Sequence, residues 1–349
     1  MQEILKEYTM IWLYKGTVDM SVKDDIIKFC SINGLDTIGF SECRIFHELN
    51  PYFDKRKKLG LENEFEERDL NKKINPFIYM KDGKTIISIA FPYLYDNDIN
   101  KKLYFSNYTR GRDYHLVLIE YMKKICTFIE GMGAKAMYFV DSNALPERYI
   151  ASLSGVGFIG KNNMLITQRY GSYVFLGEII TDLVIDPDKS VTQKCGNCEI
   201  CLSSCPTSAI VKGKFGINNN SNICLSYITQ KKDIEDFWFD KLDGRLFGCD
   251  TCQRVCPYNK EVELSVIKEF KPYEHMRTPN LKELMNIDNK LFKDNYKITS
   301  CGWRGKNIIK RNAIINSLFI EKVKIITVEK DTSPYIRDYY YRLLKYFKL

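Results

Sequence analysis

The chain has 349 residues, with 52 Lys+Arg against 44 Asp+Glu for a formal net charge of +8, 45% hydrophobic and 28% charged residues, and 12 cysteines. These proportions exclude an intrinsically disordered chain. No apolar run reaches the roughly 18–20 residues that span a bilayer. The Met1–Tyr14 start has no signal-peptide layout, so the expectation is a cytoplasmic protein whose clustered cysteines are metal ligands rather than disulfides.

The length predicts two or three domains. In the first 190 residues helical and strand patterns alternate, as in a mixed α+β or α/β domain. Val22, Ile26, Ile27 and Cys30 recur at helical spacing, with Gly34 placed to end the helix. Strands are expected at Thr37–Phe40, Thr85–Phe91, Ala136–Val140, Met164–Thr167 and Tyr173–Ile180. The charged stretch Asp54–Lys73 reads as helix and exposed loop. Asp113–Met132 reads as a long helix with a stripe of Leu116, Ile119, Met122 and Ile129. From Asp186 to about Lys260 the pattern breaks into Cys, Gly, Asn and Pro. Two basic helices, Lys306–Ile320 and Pro334–Phe347, close the chain. Residues 301–349 hold 11 Lys/Arg and 4 Asp/Glu, which is +7 of the total +8. Such a segment is either a nucleic-acid face or a solvated surface.

Eight cysteines form one pattern. Cys195-x2-Cys198-x2-Cys201-x3-Cys205-Pro206 is followed by Cys249-x2-Cys252-x3-Cys256-Pro257, with Cys224 between them. The first run has the bacterial ferredoxin spacing for [4Fe-4S] clusters, in which the fourth cysteine serves the other cluster. That rule assigns Cys195, Cys198, Cys201 and Cys256 to one cluster. Cys205, Cys249 and Cys252 serve the second, and Cys224 completes it. Paired structural zinc sites usually show two separated C-x2-C pairs instead. Cys30, Cys43, Cys126 and Cys301 are scattered and read as buried small hydrophobes.

Two motifs mislead. Gly155–Gly160 matches a dinucleotide fingerprint, but the preceding Pro146–Ser154 looks helical, whereas a fingerprint follows a strand. Gly155–Lys161 matches a P-loop until Asn162 replaces the Ser or Thr that holds magnesium. Asp113-Tyr114-His115 begins the Asp-x-His-x-x-Gly pattern of histidine-held corrinoids, but Leu118 stands where glycine is needed.

In order along the chain come Val140-Asp141-Ser142-Asn143, Leu145-Pro146-Glu147-Arg148, Gly155–Asn162 and Gly171–Glu178, leading into the cysteine block with Gly248–Gln253. Gly302-Trp303-Arg304-Gly305-Lys306 and Lys310-Arg311-Asn312-Ala313 follow. From about Thr37 to Asn316 the chain closely resembles the epoxyqueuosine reductase family, cobalamin-dependent iron–sulfur enzymes that complete queuosine in tRNA. The resemblance implies a cobalamin-binding α/β domain over 1–189, a ferredoxin-like domain with two [4Fe-4S] clusters over 190–262, and a shortened HEAT-like helical segment over 263–349. It also implies base-off cobalamin without a histidine lower ligand, in keeping with the failed histidine motif. Lys73, Ser106, Asp141, Leu165, Leu176, Ser226 and Cys249 would border the corrinoid. Lys73 stands where the family commonly has Arg, which keeps the charge and loses the planar fork.

By the same resemblance Asp141 is the acid that protonates the developing alkoxide, which calls for a raised pKa. Its structural alternative is a cap on the helix that follows. Expected partners are a tRNA anticodon stem-loop and a low-potential electron donor, with no membrane and a monomeric state. Arg304, Lys306, Lys310 and Arg311 are the expected phosphate contacts, and Gln230 and Lys232 would lie nearer the anticodon loop. Two other functions fit parts of the pattern. A corrinoid reductive dehalogenase would share the cofactors, but an exported one would carry a twin-arginine leader. An electron-transfer ferredoxin leaves about 190 residues unexplained.

Overall fold

The computed structural model describes residues 21–96, 102–213, 216–321 and 333–348. The Met1–Tyr14 reading and part of the basic C-terminal stretch lie outside them. Helix α1 (Val22–Ile32) opens on a capping box between Ser21 and Asp24, and Gly34 follows its end at φ +77. Strand β1 (Ile38–Glu42) leads to α2 (Asn50–Lys58) and α3 (Leu70–Ile74), which is capped by Asp69. Strands β2 (Thr85–Pro92) and β3 (Tyr104–Phe105) precede α4 (Tyr114–Gly131) and β4 (Ala136–Phe139). Then come α5 (Glu147–Leu153), β5 (Phe158–Ile159), β6 (Leu165–Ile166) and β7 (Val174–Thr181).

The main sheet has the order β1-β2-β7-β4, and every pairing in it is antiparallel. The expected mixed class holds, and the antiparallel pairing makes this region α+β. All eight residues of β2 are buried, and they alternate between two cores as strand period requires. Ile87, Ile89 and Phe91 meet α1 and α4 through Ile26, Cys30, Leu118 and Met122. Ile86 faces the other way, toward Phe46, Leu145 and Ile150. Burying each such side chain contributes roughly 1.5–3 kcal/mol, so the central strands anchor the site above them.

The expected stripe of α4 is displaced. Val117, Leu118, Met122, Ile125, Cys126 and Ile129 are buried, whereas Leu116 is 47% exposed. The first turns of this helix are apolar on several sides, so periodicity alone offers two candidate faces, and the sheet selects one.

Helices α6 (Ile200–Ser204), α7 (Leu225–Ile228) and α8 (Thr251–Arg254) carry or flank the cysteines, with β8 (Arg245–Phe247) between α7 and α8. Strand β8 pairs in parallel with β3, joining this region to the first. A second tie runs through Gly171, at φ +54, where a Cβ would lie 2.0 Å from Asn259 Oδ1. There the Asn259 carboxamide oxygen accepts from Ser172 N–H at 2.8 Å, and its Nδ2 donates to Ser172 Oγ. Helices α9 (Lys306–Asn316) and α10 (Pro334–Phe347) end the chain. Their apolar residues share one core with Leu225, Ile228, Trp238, Leu246 and Phe247. That core crosses the 262/263 border drawn from the sequence.

Candidate active site

The eight patterned cysteines fall into two groups. Cys201 interacts electrostatically with Cys195, Cys256 and Cys198, and Cys256 with Cys195 and Cys198. Cys224 interacts with Cys249 and Cys205, and Cys252 with Cys249, Cys224 and Cys205. These are the two quartets that the ferredoxin rule assigns. Cys252 also senses Cys201, and α6 packs on α8, so the quartets are neighbours. Among the described residues no three metal-ligating side chains are grouped for a single ion. The donor set of four thiols per group fits a cubane.

Local structure prepares several sulfurs for negative charge. Cys224 precedes α7, and the N–H groups of Ser226 and Tyr227 turn toward its sulfur, although burial pushes the free thiol up to about 11. Arg245 Nε donates to Cys249 Sγ at 3.3 Å from a 5% exposed side chain. Such bonds tune a cluster's potential. Lys161, the last residue of the P-loop look-alike, donates to the carbonyls of Gly196 and Cys198, each at 2.8 Å. Its ammonium therefore braces the first cysteine loop. Gly155–Gly160 follows α5 rather than a strand, as expected. The remaining four cysteines, Cys30, Cys43, Cys126 and Cys301, are buried.

Asp141 lies just beyond β4 with φ 45, in the left-handed region. Its Oδ2 accepts from the Tyr114 hydroxyl at 2.6 Å and from His115 Nε2 at 2.9 Å. Its backbone N–H donates to Glu147 Oε1 at 2.7 Å. Asn143 Nδ2 donates to the same Glu147 oxygen at 2.9 Å. The capping alternative fails, because α5 has Pro146 at its N-cap and no side-chain cap.

The electrostatics correct one expectation. Burial pushes the Asp141 carboxyl upward, but the bonds from His115 and Tyr114 outweigh it, and the pKa lies below its ordinary value. Burial beside the Asp141 charge moves Glu147 up to about 7. Glu178 on β7 is completely buried, receives Ser88 Oγ–H at 3.2 Å on Oε1, and lacks a partner for Oε2. Burial therefore holds it in the neutral form, well above the usual carboxyl range.

Tyr108 connects this acid cluster to the cysteines. Its hydroxyl bonds with Ser226 and accepts from Gln230 Nε2 at 3.2 Å, and its charge would sense both Asp141 and Asp250. Gly248, at φ +78, packs where a Cβ would meet Ser106 at 2.5 Å and Tyr108 at 2.7 Å. The Ser106 hydroxyl donates to the buried Asp250. Ser106, Ser226, Gln230 and Cys249 are thus brought to one place. Leu165 and Leu176 pack together in a second place. One residue before Leu176, Phe175 stacks on Tyr114 with ring centroids 4.2 Å apart. Lys73 stands apart, buried and paired with Glu62 at 3.0 Å. Two surface hollows, one between α4 and β4 and one along α2, contain none of these residues.

Comparison with known proteins agrees with this arrangement. The profile of a 4Fe-4S double cluster binding domain matches residues 194–259, and that of "Epoxyqueuosine reductase QueG, DUF1730" matches residues 73–142. An epoxyqueuosine reductase from Bacillus cereus is 34% identical over 333 residues, covering 90% of this chain and 86% of the relative. The chain belongs to the epoxyqueuosine reductase family. It is an oxidoreductase with a double [4Fe-4S] domain. A crystal structure of epoxyqueuosine reductase with an epoxyqueuosine-modified tRNA stem-loop superposes with a TM-score of 0.85 at 33% identity, over 91% of this chain and 88% of that one. The Bacillus subtilis epoxyqueuosine reductase with its catalytic aspartate loop swung out of the active site gives the same values. The Streptococcus thermophilus epoxyqueuosine reductase gives 0.82 at 31%, over 95% and 91%.

In this chain the basic residues expected to meet phosphate divide sharply. Arg311 is 0% exposed. Its guanidinium donates to the carbonyls of Lys231, Lys232 and Thr229 and to Asn312 Oδ1. It is a structural arginine, and the expectation of a phosphate contact there is corrected. Charge counts do not reveal which side of a helix faces inward, and Arg311 points into the core of α9. Arg304, Lys306 and Lys310 are half-buried, and Lys232 is exposed. Arg304 donates to the Gln230 carbonyl at 2.7 Å and lies over the rings of Trp303 and Phe65. Those rings, 54% and 42% exposed, meet edge to face beside Gln230. The sequence reading missed this aromatic patch, along with His115, Tyr114, Tyr108 and Arg245.

Proposed function

We propose that this chain reduces epoxyqueuosine to queuosine in the wobble position of tRNA. Electrons would pass from a low-potential donor through both clusters to a cobalamin. The observation that carries the reading is the continuity of the acid cluster, Tyr108 and the second cysteine quartet within a chain of this family. Conversion of an epoxide to an alkene consumes two electrons and two protons and releases water.

When bound, cobalamin supplies a low-potential cobalt centre able to deliver electron pairs to carbon. Ser226, Cys249 and Leu176 would hold it, whereas Ser106 and Leu165 are buried among neighbouring side chains. A base-off state without a histidine ligand accords with two of the three histidines, the third, His47, being exposed. His115 is engaged at both ring nitrogens by Asp113 and Asp141, and His275 Nε2 bonds to the Asn295 carbonyl. Lys73 would enter that site only as half of an ion pair with Glu62. Asp141 directs Oδ2 to Tyr114 and His115, which leaves Oδ1 to face the substrate oxygen and donate a proton to it.

Gln230, Lys232, Arg304, Lys306 and Lys310 form the tRNA face in this reading. Phe65 and Trp303 provide rings on which unstacked loop bases can rest. The protein works as a monomer in the cytoplasm, where its thiols stay reduced.

The test is anaerobic purification with cobalamin, followed by nucleoside analysis of epoxyqueuosine-containing tRNA before and after reduction. Queuosine should appear only with cobalamin and a reductant present. Its absence from a protein fully loaded with both clusters and cobalamin would overturn the reading. The protein should hold about eight iron and eight sulfide per chain. Cys224→Ala should retain the spectrum of one cluster and about half the iron. Two intact clusters in that variant would remove Cys224 from the ligand set.

A further inference from the structure

Reduction of one epoxide needs two protons, yet a single carboxyl delivers one at a time. Both C–O bonds of the epoxide break and one C=C π bond forms. The oxygen acquires two O–H bonds, and the two electrons come from the clusters. Asp141 must therefore be recharged within each turnover.

His115 occupies the position to do this. Its Nδ1 bonds to Asp113 Oδ1 at 2.9 Å, and its Nε2 bonds to Asp141 Oδ2 at 2.9 Å. Asp113 is the N-cap of α4, and its Oδ1 also accepts the His115 backbone N–H at 3.1 Å. The imidazole is thus fixed by the helix start on one side and by the β4 loop on the other. Tyr114 lies flat between its neighbours, 4.1 Å from the His115 ring and 4.2 Å from Phe175, and presses its hydroxyl onto the same Asp141 oxygen. We propose that His115, clamped between Asp113 and Asp141, is the proton store of the site, and that Asp141 hands on to the substrate what His115 holds.

The surroundings bear this out from every side. Burial alone would lower the His115 pKa, but the bonds and charges of Asp113 and Asp141 exceed that and set it to about 9. The same bond holds Asp141 below its ordinary range. At neutral pH the proton therefore resides on the imidazole; transfer places it on Asp141 Oδ2, and rotation of the carboxyl about its Cβ–Cγ bond then turns that O–H toward the substrate. Tyr114 and Tyr108 both stay protonated, because burial raises each phenol. Glu147 stands behind Asp141 and has its own proton affinity raised by the Asp141 charge, while Arg148 lowers that of Asp141. His115 is 28% exposed, so solvent can restore its proton after each cycle. By this assignment His115 is a positioning residue that acts through Asp141.

The proposal rests on the epoxide-reductase reading for its substrate, so its first test needs none. The chain has three histidines, His47, His115 and His275, which keeps their imidazole signals countable. In the cluster-loaded, cobalamin-free protein, one imidazole should titrate near pH 9 by NMR and vanish in His115→Gln. In Asp113→Asn that midpoint should fall by about one pH unit or more. The second test is the pH profile of the loaded enzyme. Wild-type turnover should decline above about pH 9. In His115→Gln the decline should move at least two pH units toward acid, because Asp141 then relies on its own carboxyl range. The loss should exceed tenfold at pH 8 and shrink at pH 5.5. An ordinary His115 midpoint near 6.5, or a uniform loss at all pH with an unmoved alkaline limb, would overturn the proposal. Should His115→Gln fail to fold, Asp113→Asn carries both measurements. A clamp that titrates as expected in a protein inactive on the tRNA would break only the functional reading.

Discussion

The end of β4 and the middle of α9 each gather charged groups into a dense hydrogen-bonded cluster, yet the two clusters use charge in opposite ways. At β4 the partners are side chains that can gain or lose protons, namely Asp113, His115, Tyr114, Asp141 and Glu147, and the Asp141 side chain is 51% exposed. At α9 the charge is Arg311, sealed from solvent and bound to peptide carbonyls that never titrate. A cluster of exchangeable protons suits chemistry. A permanent cation on fixed carbonyls suits a joint, here between α9 and the chain after α7. The lesson is that the partners of a charge, more than the charge itself, decide what it does.

The contrast can be broken most directly at its first member. Asp141→Asn should bind cobalamin normally and lose about 10²–10⁴-fold in turnover, the usual effect of removing a general acid. Near-normal turnover by a folded variant would leave the β4 cluster as structure.

The second member should fail in the other way. Arg311→Met removes the guanidinium's bonds to the Lys231, Lys232 and Thr229 carbonyls, and a hydrogen bond to a charged group contributes about 1.5–3 kcal/mol. Urea unfolding should show a loss of about 3 kcal/mol or more. The salt dependence of tRNA binding by the molecules that remain folded should stay as in wild type.

Glu147 sharpens the comparison through pH. Its pKa is about 7 in the folded protein and ordinary when unfolded. Between those values the native state binds the extra proton, so this group's contribution to stability falls as pH rises through that window. Glu147→Gln keeps an acceptor for the Asp141 N–H and has no proton to lose. Its melting temperature should change less between pH 4.5 and 7.5 than that of wild type, by a few degrees.

The smallest effect belongs to the surface beside Arg311. Each phosphate contact to a single strand contributes about −0.7 to the log–log salt slope of binding. Arg304→Gln with Lys306→Gln should flatten that slope by roughly 1.4 and leave iron and cobalamin content unchanged. An unaltered slope would move the tRNA to another face.

What could be read from residues alone followed from how local each feature is. The cysteine quartets were legible because their ligands come in two compact runs, Cys195–Cys205 and Cys249–Cys256, whose spacing is set by the clusters, and Cys224 alone lies between them. Pro334–Phe347 was legible because proline at its first turn and a clear apolar stripe agree. Asp141 could be placed at a strand end, but its depressed pKa could not, since His115 reaches it across 26 positions of sequence. Asp113-Tyr114-His115 was noticed for a corrinoid pattern that it fails, while its actual partners came from another loop. Arg311 was misplaced because a net charge of +7 in a segment says nothing about which face of a helix each cation occupies.

The backbone at Asp141 has a further consequence for how the site moves. At φ 45 an aspartate or asparagine is tolerated, and alanine costs about 1 kcal/mol more than glycine. Asp141→Ala and Asp141→Gly both delete the carboxylate, so the gap between their melting temperatures, corrected for the greater unfolded-state entropy of glycine, gauges backbone tension. That tension is held by one N–H bond to Glu147 and by the grip of Tyr114 and His115 on the carboxylate. A segment held away from its relaxed shape by a few bonds needs little energy to swing once they let go. In the proposed reading, this strain offsets part of what breaking those bonds costs when the loop opens for an arriving nucleotide.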